Sequence, residues 1–132
     1  MTTLLVCGSR LATPAMLDYT RRAVLRARDL GWNLICGDAA GVDNCVLRTC
    51  CQYDIPFEYY GPTAHPRQMC CARHIAFYHQ AGTDYLTRDR YMVERCDRCL
   101  AVCHNHSRGT MYTYSYALKQ GKPADIRHWS SE

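Results

Sequence analysis

Two short apolar runs that each stop at a glycine constrain this chain more than any other feature. Leu4-Leu5-Val6-Cys7 is closed by Gly8-Ser9-Arg10, and Asn33-Leu34-Ile35-Cys36 is closed by Gly37-Asp38. Apolar runs this short, with no polar residue alternating, suit strands buried on both faces, as in a parallel sheet covered by helices. Between them, Thr13-Pro14 supplies an N-cap and a proline at the first helical position. Met16, Thr20, Ala23, Val24, Ala27 and Leu30 then recur at helical spacing until Gly31. The chain therefore starts as a strand, a helix and a second strand.

The same alternation continues. Val42, Val46 and Thr49, with Cys45 beside them, define a helix after the second glycine turn, and 55–60 reads as a third strand stopped by Gly61-Pro62. Segment 63–87 is less patterned: Pro66 is expected to open a helix running through His79, and Ala81 to Asp84 to form a turn. Beyond it, 87–95 reads as a short helix, 98–103 as a strand, 110–120 as a helix closed by Gly121, and 123–126 as an edge strand. The expected fold class is α/β, a Rossmann-like three-layer sandwich with a mostly parallel central sheet of about five strands, in one domain spanning 1–132.

Several function classes drop out on composition. The longest apolar run falls far short of the roughly 20 residues that span a bilayer, and no signal-peptide pattern opens the chain, so a cytoplasmic location is expected. Ten cysteines would suit a disulfide scaffold only in a small, core-poor chain, so reduced thiols are expected instead, as for Cys7, Cys36 and Cys103 in apolar runs. Cys96-x-x-Cys99 with Cys103, His104 and His106 has the flavour of a zinc site. A strand over 98–103 would hold Cys99 and Cys103 too far apart for one tetrahedral ion, so no metal and no cofactor is expected. Sixteen basic against twelve acidic residues give a net charge of +4, spread along the chain without a stripe, so nucleic acid is not the expected partner.

Chemistry is expected at three glycine-bearing turns at strand ends. These are Gly8-Ser9-Arg10, Gly37-Asp38-Ala39-Ala40-Gly41-Val42-Asp43, and Ser107-Arg108-Gly109-Thr110. In an open parallel sheet ligands bind outside the carboxyl ends of the strands. Glycine lets a ligand approach the backbone, and helix N-termini favour phosphate. Arg10, Arg88, Arg90 and Arg108 could neutralise that phosphate. Tyr112, Tyr114 and Tyr116 could stack a base, or instead form a packing or dimer contact in a homo-oligomer.

The order of these pieces, with Arg88-Asp89-Arg90-Tyr91-Met92 between the second and third turns, resembles the SLOG superfamily. Its members include the lonely-guy phosphoribohydrolases, the DNA-processing protein A and many small uncharacterised proteins, to which the motifs are most similar. The resemblance covers 4–126 and implies a nucleotide or nucleotide-sugar ligand held at Gly8, Ser9, Arg10, Gly37, Asp38, Gly41, Asp43, Arg88, Arg90, Ser107, Arg108, Gly109 and Thr110. Asp38 stands where a second glycine is usual in the family, and Asp89 where Asn is common. The phosphoribohydrolases carry a glutamate three residues after the GT pair, and this chain has Thr113. Threonine cannot stabilise an oxocarbenium ion as a carboxylate can. A sensor or sequestering module is the leading expectation, and a nucleoside-phosphate N-glycosidase the alternative. In that alternative Asp43 or Asp38, with Asp89 and Glu94 as further candidates, would replace the missing carboxylate. As the bland reading, Asp43 only complements a helix dipole.

Overall fold

A computed structural model describes residues 1–69 and 74–130. The elements run β1 (Thr3–Gly8), α1 (Pro14–Asp29), β2 (Asn33–Gly37), α2 (Val42–Tyr53), β3 (Phe57–Gly61), β4 (Ala76–Gln80), α3 (Tyr85–Arg95), β5 (Arg98–His104), α4 (Arg108–Lys119) and β6 (Ala124–Trp129). All six strands are parallel in the order β4-β3-β2-β1-β5-β6. This is a three-layer Rossmann-like α/β sandwich with one strand more than the sequence suggests.

Strand alternation divides the core in two. Leu4, Val6, Leu34 and Cys36 face α1 and α2, while Leu5, Cys7, Ile35 and Ala101 face α3 and α4. The thiols of Cys7 and Cys99 lie 3.9 Å apart inside the second layer. Local signals place the helices: the Thr13 hydroxyl accepts the Met16 amide at 3.2 Å, and Gly31 leaves α1 at a φ of 73°. Chain order reverses between β1 and β5, so the crevice outside their carboxyl ends is the topological switch point of the sheet.

Two expectations need correction. Instead of a helix from Pro66 through His79, the described part of this stretch is a bend followed by β4, with 70–73 outside the described residues. Ala76-Phe77-Tyr78-His79-Gln80 extends because it can pair residue for residue with β3. Its aromatic rings also find cross-strand partners there, Tyr78 lying 5.1 Å from Tyr59 and His79 4.9 Å from Tyr60. The second correction concerns the thiols. Among the described residues seven cysteines are free and buried, but Cys51, half-buried against the core at the end of α2, is disulfide-bonded.

Candidate functional site

A crevice of about 520 Å³ opens at the switch point. Its walls come from the β1 turn (Gly8, Ser9, Arg10, Leu11), the start of α3 (Tyr85, Leu86, Arg88, Asp89), and the turn into α4 (Ser107, Gly109, Thr110), with Asp43 at its floor. That volume is typical of a small-molecule site.

The α4 turn is built to present backbone amides. Asn105 and His106 both adopt left-handed backbone, with φ of 51° and 53°, which is uncommon for residues with a side chain and reverses the chain sharply after β5. Ser107, the N-cap, makes no side-chain bond to the helix backbone, and among the described residues no acceptor caps the amides of Gly109 and Thr110. These orphan N–H groups lie at the positive end of the α4 dipole. Hydroxyls tie the turn to β1. Ser9 Oγ accepts the His104 amide at 2.8 Å and lies 3.4 Å from Thr110 Oγ1, which is 3.2 Å from Ser107 Oγ.

Beneath the crevice lies a buried ionic cluster. Arg88 is 5% exposed; its Nη1 donates to Asp38 Oδ1 and to the Tyr60 carbonyl, both at 3.0 Å, and its Nε donates to Asp89 Oδ1 at 2.7 Å. Asp38, wholly buried, also accepts the backbone amide of Arg67 at 3.0 Å and its Nη2 at 2.9 Å. Burial pushes the Asp38 carboxyl up, but the Arg67 hydrogen bonds and both guanidinium charges outweigh it and hold it below its ordinary range. Asp89 goes the other way, because burial outweighs its bond to Arg88.

Asp43 accepts the Ala39 amide at 3.1 Å, and burial pushes its carboxyl up to about 6 against the pull of Arg88. Glycine at position 37 is a packing requirement of this cluster, since a Cβ there would stand 2.6 Å from Asp43 Oδ2 and 2.7 Å from Arg88 Nη1. Gly41 needs its φ of 76° where α2 begins against the backbone of Ser9 and Arg10.

The raised Asp43 has a consequence for stability. The folded state holds this proton up to about pH 6, whereas the unfolded chain releases it near its ordinary, lower value, so ionising Asp43 costs the fold stability as pH rises through that window. Asp43→Asn is therefore expected to raise stability at pH 8, by on the order of 2 kcal/mol, and to change it little at pH 4. Thermal unfolding of both proteins across that pH range measures the difference, and an equal effect at both ends would show that the carboxyl does not titrate there.

The remaining sequence-derived candidates fall outside the crevice wall. Gly37 and Asp38 belong to the cluster below it, and Gly41 supports α2. Arg90 bonds the Tyr112 hydroxyl and lies over the Tyr112 and Tyr116 rings on the outer surface of α3 and α4, and Arg108 is exposed. Glu94 sits on that same outer surface, accepting from Tyr116. Cys96 donates to the Val93 carbonyl at 3.2 Å, Cys99 faces Cys7, and no three potential ligands converge among the described residues. No helix among the described residues is long and apolar enough to cross a membrane.

Sequence reasoning missed three features. Leu11, Tyr85 and Leu86 are apolar side chains left exposed at the crevice rim, by 76%, 37% and 48%. Tyr85 is also the meeting point of three guanidiniums, those of Arg67, Arg88 and Arg10, at 4.1, 5.4 and 5.6 Å from its ring centre. Arg67 itself comes from the segment whose pattern was least clear. Thr113, which the sequence singles out, lines the crevice and donates to the Gly109 carbonyl at 3.0 Å.

No family model matches the chain, and no curated protein sequence matches it significantly. Solved structures do. The molybdenum cofactor binding protein of Rippkaea orientalis superposes with a TM-score of 0.80 at 22% identity, over 97% of this chain and 77% of that one. The Moco carrier protein of Chlamydomonas reinhardtii gives 0.79 at 16% identity, over 98% and 77%. DNA processing protein A of Helicobacter pylori, in a study of its single-stranded DNA binding mode, gives 0.73 at 17% identity, over 95% of this chain and 64% of that one. The chain thus shares the Rossmann-like α/β fold of these structures.

Proposed function

We propose that the crevice binds a nucleotide or nucleotide-sugar ligand and that the chain acts as a sensor or sequestering module for it. One observation carries this reading: the uncapped N-terminus of α4 opens into the switch-point crevice, whose wall holds both Gly109 and Arg10. A phosphate there takes the amides of Gly109 and Thr110 and the charge of Arg10. The sugar hydroxyls lie over Asp43 and Asp89, and the base lies against Leu11, Tyr85 and Leu86, which explains why those side chains are left exposed. Asp38 acts one step removed, holding Arg88 and Arg67 in place. Two neighbours named for binding or carrying the molybdenum cofactor support ligand holding as a use of this fold. The chain acts on this reading as a single cytoplasmic unit that needs no metal or cofactor, with the Tyr112 and Tyr116 face available for self-association.

Native mass spectrometry of protein freshly purified from cells tests the ligand class. The expected adduct carries phosphate and a nucleobase. A molybdenum-bearing adduct in its place would overturn the nucleotide reading.

A second reading is favoured by Asp43, a carboxyl pushed up to about 6 in a closed floor, as a general acid requires. In it the crevice cleaves the N-glycosidic bond of a nucleoside phosphate. Thr113 argues for binding alone, since no carboxylate occupies the position that would stabilise the developing charge. Incubation with nucleoside monophosphates, NAD and ADP-ribose is expected to release no free base over hours. Release that disappears in Asp43→Asn and persists in Thr113→Ala would establish the enzyme instead.

A further inference from the structure

The sixteen Lys and Arg residues are spread along the chain, but folding gathers four of them. α1 and α2 contact β1 and β2, and α3 and α4 pack on the opposite face, leaving a strip of β5 and β6 beside α1 without a helix over it. A groove of about 630 Å³ runs there, starting near the amino ends of β2 and β5, whereas the crevice lies at the carboxyl ends. Strand alternation turns Arg98 of β5 and Arg127 of β6 into it, and α1 adds Arg22 and Arg26, one helical turn apart. Asp125 lines the groove with these four arginines.

Arg22 is engaged by Asp18 at 3.1 Å, but among the described residues Arg26, Arg98 and Arg127 have no carboxylate within ion-pair distance. Arg98 and Arg127 are held against aromatic rings instead. Arg98 lies 5.6 Å from the centre of Trp32, and Arg127 lies 4.8 Å from Tyr19 and 5.1 Å from Trp129.

We propose that this groove is a second binding site, separate from the crevice, for a short stretch of single-stranded nucleic acid. Arg26, Arg98 and Arg127, lining one groove with no carboxylate at ion-pair distance among the described residues, suit an anionic partner. Rings interleaved with arginines give bases a surface to stack on regardless of sequence, while the arginines track the backbone. An acidic peptide would use the arginines and leave the rings idle. A free nucleotide needs a cradle for its terminal phosphate, and this groove has neither a glycine turn nor a helix N-terminus, since α1 presents its C-terminal half. Three phosphates, one for each of Arg26, Arg98 and Arg127, are assigned to the site.

Fluorescence anisotropy of a labelled oligothymidylate of about ten nucleotides with the full chain tests this. The affinity is expected to fall about twentyfold between 50 and 200 mM salt for three phosphate contacts. It is also expected to fall tenfold or more in Arg98→Glu/Arg127→Glu, which should still bind a nucleoside monophosphate and keep its circular dichroism. Arg26→Gln, on the exposed face of α1, is a milder second variant expected to weaken oligonucleotide binding about threefold. Unchanged affinity in both variants would overturn the proposal. So would competition by polyglutamate as effective as by unlabelled oligonucleotide, which would give the groove to an acidic protein segment.

Discussion

Gly109→Val is expected to weaken binding of a nucleoside 5′-monophosphate by at least about a hundredfold while leaving the fold intact. A Cβ at position 109 would meet nothing within 4 Å, and the residue is helical, so the larger side chain enters open space without backbone strain. That space is the crevice. Valine in the first turn of a helix costs only a few tenths of a kcal/mol beyond its lost ligand contacts. A phosphate displaced from two amides loses two charge-assisted hydrogen bonds of about 1.5 to 3 kcal/mol each, which is a hundredfold or more in affinity. Calorimetric titration alongside thermal unfolding separates the two effects, and unchanged affinity would remove the α4 turn from the site.

The largest effect on stability is expected at Arg88. Arg88→Met keeps much of the side-chain volume but leaves Asp43 and Asp89 buried without their cation, and Asp38 with Arg67 alone. Breaking a buried pair by removing one partner typically costs about 3 to 5 kcal/mol. The pH dependence gives the mechanism away. Without Arg88 the buried aspartates rise further above their ordinary range, so the folded state holds their protons when the unfolded chain does not. The variant should be most stable at low pH and lose stability as pH rises through those raised values. Denaturant unfolding at pH 5 and pH 8 reads this directly: a deficit much larger at pH 8 is expected, and an equal deficit at both would point to lost packing instead of uncompensated charge.

The strands at the centre of the sheet were legible because a strand buried on both faces writes itself as an unbroken apolar run, as 4–7 and 33–36 do. β4 was not. At a sheet edge Phe77 is exposed and His79 and Gln80 face water, so the short run Ile75-Ala76-Phe77-Tyr78 ends in polar residues with no glycine to close it, and Pro66 offered a helix start that tertiary pairing with β3 overrode. In the crevice, Gly8, Ser9, Ser107, Gly109 and Thr110 were legible as strand-end turns. Arg88 and Arg90 looked equivalent in sequence, yet two residues apart on a helix they point to different faces, and only Arg88 reaches the crevice. The partnership of Asp38 with Arg67 spans 29 positions and leaves no local trace. The apolar rim of Leu11, Tyr85 and Leu86 was illegible for the opposite reason, since single exposed apolar residues in a sequence are ordinary and only their convergence on one crevice gives them meaning. The same holds for the arginines at 22, 26, 98 and 127, which read as scattered charge until the fold brings them together.

Phosphate capture at the start of α4 is most directly tested by following backbone amide resonances of isotope-labelled protein during titration with adenosine 5′-monophosphate and, separately, with adenosine. The amides of Gly109 and Thr110 are expected to shift strongly with the monophosphate and hardly at all with the nucleoside, as they acquire an acceptor they lack in the free chain. Shifts of equal size with both compounds, or shifts with the monophosphate that leave Gly109 and Thr110 unmoved, would contradict phosphate binding at this turn.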